Sequence, residues 1–337
     1  MRLASSKGTS RTGLPKWLLA GIAAAGTLLA MPETARADAP DGFNEPYEYN
    51  YKFPLWGKKL ASRGLKFPLP FGIGLNYLSI NQDVNIDGVE IAVNDSEYVN
   101  LDEIVKFEKV RSSVQGIGAR FDLWVFPFLN VYGLASYAAN VDTEVVLAQP
   151  FKLRAGAAQS GYGGGFGVTG AFGVFGFFVT MDANWTWQNM EKLDTLVRTF
   201  LLTPRIGKKF YLSPSVSIAP WVGAMRQEIA AETSGSILLS ETIGEPSDSF
   251  KAKVGEWYGN LSPGQQAVVG AVAGRLQERE DPVIHYRLDK ALADPWNMLL
   301  GFEVDLHQRV QMRMEYGFLG RSQLLLGINY RFGLIPD

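Results

Sequence analysis

Cysteine is absent from all 337 residues, which excludes disulfide bridges and attachment of a lipid through an N-terminal cysteine. Histidine is almost as scarce, at two residues, so metal or acid–base chemistry built on imidazole has little to draw on. A large excess of charge of either sign is missing as well: the formal net charge is −2, and nothing in that balance points to nucleic acid or an anionic surface as a partner. Long apolar runs are confined to one, between Trp17 and Met31. At about 15 residues it is short for a membrane-spanning helix. Present in quantity are glycine, at 36 residues, and aromatic side chains, at 12%.

That single apolar run sits behind the basic residues Arg2, Lys7, Arg11 and Lys16 and ahead of Ala35-Arg36-Ala37, a small-x-small pattern. This is the layout of a cleaved secretory signal over residues 1–37, with the mature chain beginning near Asp38. An exported chain rich in glycine and aromatics and lacking later apolar helices is either a soluble β protein or a membrane barrel. The direction of its apolar faces separates the two.

Periodicity of two predicts strands at about 71–82, 113–125, 129–142, 159–173, 176–188, 198–210, 214–227, 296–306, 310–318 and 322–332. Most have the roughly 9–11 residues that a tilted membrane strand needs. In 310–318, Val310, Met312, Met314, Tyr316 and Phe318 alternate with Gln311, Arg313, Glu315 and Gly317. Likewise Met298, Leu300, Phe302, Val304 and Leu306 alternate with Leu299, Gly301, Glu303 and Asp305. Ten strands enclose too little space for so many large side chains, which favours turning the apolar set outward. The connections alternate too. Phe126-Pro127-Phe128, Val174-Phe175, Tyr211-Leu212-Ser213 and His307-Gln308-Arg309 are short, and the links after the first, third and seventh strands are long. Short turns on one rim and long loops on the other are the habit of membrane barrels. Aromatics gather at the short turns: Trp124, Phe126, Phe128, Phe172, Phe175, Phe177, Phe210 and Tyr211.

The last strand ends in the dyad Leu324, Leu326, Ile328, Tyr330 and Phe332, followed only by residues 333–337. With the leader and the loop alternation, it resembles the closing strand of a Gram-negative outer-membrane β-barrel of small, porin-like type. That resemblance implies an all-β, membrane-spanning antiparallel barrel of about ten strands, with eight or twelve as alternatives. It implies residence in the outer membrane, with lipid and lipopolysaccharide around it. The five dyad residues would be an assembly signal for the barrel-assembly machinery. Residues 38–70 would be a periplasmic lead-in or plug with a short helix near Leu55–Arg63, and 71–332 the barrel. Residues 228–295 would be a long extracellular loop, with a helix starting at Ser262-Pro263 and capping the mouth.

Chemical motifs fail on context. Gly165-Phe166-Gly167-Val168-Thr169-Gly170 fits a dinucleotide fingerprint by letter, but it lies inside a strand with no helix after it. Neither His285 nor His307 has the serine two residues on that barrel lipases carry. His285 with Asp281 or Asp289, and Asp83 with Asp87, imitate the pairs of ten-stranded outer-membrane proteases by spacing alone. No catalytic residue, metal ligand or cofactor is assigned. The stronger signal is inward charge: Arg120, Asp122, Asp182, Arg205, Lys209, Glu303, Asp305, Arg313, Glu315 and Arg331, five acids and five bases. Such a set can pair into a structural network or line a small polar pore. The function expected is a narrow porin-like channel for small polar solutes. A non-conducting structural or surface-interaction barrel is the alternative, and an outer-rim hydrolase or protease the third reading.

Overall fold

The computed structural model describes residues 45–149, 153–174, 176–191, 193–213, 215–229, 232–238, 255–276 and 282–335; the leader and its cleavage pattern lie outside them. Ten long strands form the architecture: β1 (Phe71–Val93), β3 (Lys106–Phe126), β4 (Leu129–Gln149), β5 (Leu153–Val174), β6 (Phe177–Met190), β7 (Val197–Lys208), β9 (Ser217–Ile229), β12 (Trp296–His307), β13 (Val310–Phe318) and β14 (Ser322–Phe332). Four shorter strands attach to them: β2 (Val99–Asn100), β8 (Phe210–Tyr211), β10 (Glu232–Leu238) and β11 (Val283–Leu292). Every long strand pairs antiparallel with its neighbours, and β1 closes the ring. One edge of β1 runs along β3 from Phe71↔Leu123 to Val84↔Val110, the other along β14 from Phe71↔Phe332 to Asn81↔Ser322. Closure leaves the ring no free edge, which a sheet in lipid requires.

Side-chain alternation is inverted relative to a soluble barrel. Ile73, Leu75, Phe121, Met181, Leu300, Met312, Met314 and Ile328 are exposed on the outside, whereas Asp122, Asn130, Thr203 and Glu315 are buried within. An apolar outside and a polar inside is the arrangement lipid demands. No helix among the described residues is long and apolar enough to cross a membrane, and the strands do the crossing. The chain is an outer-membrane-type β-barrel of ten strands.

Strand lengths are uneven. β1, β3, β4 and β5 have 23, 21, 21 and 22 residues, while β6, β7, β9, β12, β13 and β14 have between 9 and 14. The long four exceed the membrane requirement about twofold and rise as a wall on one side. Their upper ends were hard to see in the sequence because no lipid constrains them there. Asp83-Val84-Asn85-Ile86-Asp87 puts its acids on the parity that faces lipid lower down the strand.

The insertion expected as one long loop is largely ordered structure. β9 leads into β10 and β11 leads into β12; the lower halves pair with each other, and so do the upper halves. The β10–β11 ribbon then leaves the ring, passes the short β13–β14 hairpin and docks on upper β1, from Val84↔Leu292 to Val93↔Ile284. The helix Pro263–Leu276 starts as the Ser-Pro signal suggests. The Ser262 N–H donates to Gln265 Oε1 at 3.0 Å, and the Gln265 N–H donates back to Ser262 Oγ at 3.4 Å, a reciprocal cap. Val268 and Val269 of this helix pack with Trp257 against Val89, Leu101 and Ile104. Ile86 and Leu288 join that cluster with the inward parity of their strands, so the helix sits on the face continuous with the barrel interior.

The segment before β1 packs on the opposite, short-turn rim. Its helix is limited to Gly57–Ala61. The Leu55 N–H donates to the Val125 carbonyl at 2.8 Å, and the Trp124 N–H donates to that of Pro70 at 2.8 Å. Trp56 meets Phe126 and Phe128 at ring separations of 5.1 and 6.0 Å. Tyr47 and Tyr49 pack on Phe67, and burial pushes the Tyr47 phenol up to about 12.

Candidate functional site: the charged interior of the barrel

Inward parity on β3 to β14 turns the predicted charges toward the lumen, where they fall into two sets: Arg205, Glu315 and Arg313 in direct contact, and the rest joined largely through neutral partners. Glu315 is the most enclosed, with no exposed surface. It accepts from Arg205 Nε at 2.6 Å and Nη2 at 3.1 Å, from Arg313 Nη2 at 2.9 Å and from Trp221 Nε1 at 3.1 Å. Arg205 is on β7 and Glu315 on β13, so this pair spans β9 and β12 and ties the barrel across its interior. The Arg313 guanidinium also lies over the Trp221 ring, 4.8 Å from its centre.

A second set follows the wall. Asp182 accepts from the Tyr132 hydroxyl at 2.8 Å, from Thr169 Oγ1 at 2.5 Å and from Asn184 Nδ2 at 3.3 Å. Arg120 stacks over the same Tyr132, 3.6 Å from its ring centre, and donates to Asn130 Oδ1 at 2.9 Å. Asn130 in turn donates to Asp122 at 2.7 Å, and Arg331 Nη2 donates to Asp122 at 3.0 Å. Arg331 Nε reaches the carbonyl of Leu69 at 2.9 Å and so joins the lumen to the N-terminal segment. Its Nη1 donates to Gln311 Oε1 at 3.4 Å. Gln311 donates to Asp305 at 2.8 Å and Glu303 at 3.3 Å, and Asp305 also accepts from Lys209 and Ser217. The result is a polar belt from β6 round to β12.

Sequence reasoning found the charges, and placed Gln311 inward without a role, but missed the other neutral groups that contact them: Asn130, Tyr132, Thr169 and Trp221. Strand parity already placed each inward, yet no charge flagged them, and Tyr and Trp read more readily as lipid-facing. The fingerprint glycines have a packing reason. Gly167 lies against the Tyr132 ring, which a Cβ would strike, so the residue facing Tyr132 has to be glycine.

Of the protease-like residues, Asp87 on β1 stands opposite Asp289 on β11 in the strand register, and the others lie apart. His285 on β11 stands opposite Ala92 and Ser236, and His307 is exposed at the end of β12. Asp83 is ion-paired to Arg111 at 3.2 Å, and Asp281 lies outside the described residues. Among the described residues no group of three or more His, Asp or Glu is placed to hold a metal ion.

The closing-strand residues Leu324, Leu326, Ile328, Tyr330 and Phe332 all lie on the outward face of β14. Phe332 stacks on Phe71, the first residue of β1, at 5.5 Å, whereas Leu334 is exposed beyond the strand. If this dyad directs assembly, Phe332→Ala lowers the yield of heat-modifiable folded protein and Leu334→Ala leaves it near wild type. Equal yields for the two variants would contradict that role.

No protein-family model and no curated protein matches the sequence. Among solved structures, the chain is similar to the beta domain of the Bordetella autotransporter BrkA, at 10% identity and TM-score 0.39, covering 78% of this chain and 100% of that one. It is similar to the outer membrane protein OprG from Pseudomonas aeruginosa at 11% identity and TM-score 0.36, covering 80% and 98%. The translocator domain of the autotransporter NalP from Neisseria meningitidis gives 12% identity and TM-score 0.34, covering 82% and 95%. The architecture rests on the closed strand register of this chain itself.

Proposed function

We propose that this protein is an outer-membrane barrel whose interior is sealed and whose role is to hold a structured wall and arch outside the membrane, as a surface-interaction scaffold. The observation that carries the reading is Glu315, fully buried between Arg205 and Arg313 and joining β13 to β7, three strands away round the ring. Buried charge persists only when paired and hydrogen-bonded, and on this reading the pairing closes the path a solute would take. The N-terminal segment at the short-turn rim and the helix Pro263–Leu276 at the other mouth support the same reading. On it, the short-turn rim faces the periplasm and the wall faces outward.

A narrow channel for small polar solutes is the second reading. It is favoured by the lumenal side chains of Arg120, Arg313 and Lys209, which keep 27%, 30% and 40% of their surface exposed. Swelling of protein-loaded liposomes in isotonic arabinose tests the choice. A sealed barrel gives the rate of protein-free liposomes. Swelling that rises with protein content would overturn the seal and favour the channel.

A further inference from the structure

Beyond the paired belt, the long-loop end of the lumen holds a base with no acid. Arg321, in the turn between β13 and β14, is 4% exposed, and its Nε, Nη1 and Nη2 have no hydrogen-bond partner. Among the described residues no carboxylate pairs with it; burial alone acts on the guanidinium and pulls it down to about 10. Its neighbours are polar and equally enclosed. Asn297, 2% exposed, accepts the Arg321 backbone N–H at 3.1 Å through Oδ1, and its Nδ2 has no partner. Gln323, also 2% exposed, has an unpartnered Oε1. Asn297 Nδ2 and Gln323 Cβ both pack against Gly317, occupying the space that its missing side chain leaves between β12 and β14.

Leaving one such donor unmatched in a buried site is costly, and an uncompensated guanidinium more so. A guanidinium presents a planar fork of N–H groups that suits the two oxygens of a carboxylate or phosphate. Elsewhere in this lumen that fork is used on Glu315, which takes both Nε and Nη2 of Arg205. At Arg321 the matching oxygens are not supplied by the described residues.

We propose that Arg321 and Asn297 form a binding site for a small oxyanion, a carboxylate or phosphate group, at the wall end of the barrel interior. Arg321 supplies the charge and the fork, and Asn297 Nδ2 supplies a further donor. Gln323 Oε1 accepts a hydroxyl carried by the anion, so a hydrogenphosphate, with its own P–OH, is held more tightly than acetate or sulfate. The site does not depend on whether the barrel conducts.

The test is the thermal unfolding midpoint of refolded protein in detergent, titrated with sodium phosphate, sulfate or acetate against sodium chloride at matched ionic strength. Wild type is expected to show a saturable rise, with the tightest half-saturation for phosphate. Arg321→Gln is expected to weaken the phosphate response by about tenfold or more. Arg111→Gln, at an exposed ion pair, leaves it unchanged. General salt stabilisation would persist in Arg321→Gln and would overturn the site, as would a wild-type midpoint that never saturates. Should Arg321→Gln fail to fold, Asn297→Asp decides, because it places a carboxylate beside Arg321. That variant is expected to have a raised midpoint without added anion and no response to phosphate. A wild-type response in Asn297→Asp would overturn the proposal.

Discussion

Replacing Glu315 with glutamine is expected to destabilise the folded barrel by about 3–5 kcal/mol, the usual cost of leaving a buried charge without its counterion. The carboxylate has no exposed surface and accepts four hydrogen bonds, three of them from Arg205 and Arg313. Glutamine keeps the shape but carries no charge, and its amide nitrogen would point a donor at guanidinium or indole donors. Two positive groups would then face each other inside the barrel. Urea titration from lipid vesicles measures the loss. Glu228→Gln is the control: its ion pair with Arg226 is about half exposed on both sides, and such pairs contribute only about 0–1 kcal/mol. Similar losses for the two variants would mean that Glu315 is solvated and that the seal has been misread.

The second large effect concerns the outer surface. Met314→Lys puts an ammonium near the centre of β13 on the face turned to lipid, where Met314 is 39% exposed. The expected cost is about 2–4 kcal/mol. Gln311→Lys, on the same strand but turned inward, places its charge beside Glu303 and Asp305, which accept from Gln311 in the wild type. Its cost should be far smaller. A reversed order in the same titration would mean that the apolar face is the core of a soluble barrel.

These two residues show how much the sequence disclosed. Met314 and Glu315 are adjacent, and the alternation of β13 alone assigned one to lipid and the other to the lumen. Within the membrane that rule holds without exception on β13, because each residue must satisfy either lipid or a paired polar interior. Above the membrane the constraint lapses. β10 and β11, with Glu232-Thr233-Ser234-Gly235-Ser236 and His285-Tyr286-Arg287, show no lipid-facing dyad and were read as part of a loop. Pairing partners were also beyond reach. Arg205 and Glu315 are separated by 110 positions, and nothing in either strand marks the other as its counterion. Arg321 was overlooked for a related reason, since it falls in a turn where an arginine normally reads as solvated.

The sealed interior is tested most directly by planar-bilayer recording of refolded wild-type protein at neutral pH. A lumen spanned by Arg205, Glu315 and Arg313 predicts a flat baseline in molar potassium chloride, with no resolved conductance steps over the holding voltages the membrane tolerates. Reproducible single-channel steps in the wild-type protein, with an ion preference that changes in Arg313→Ala, would contradict the seal and show that the charged interior is a conducting path.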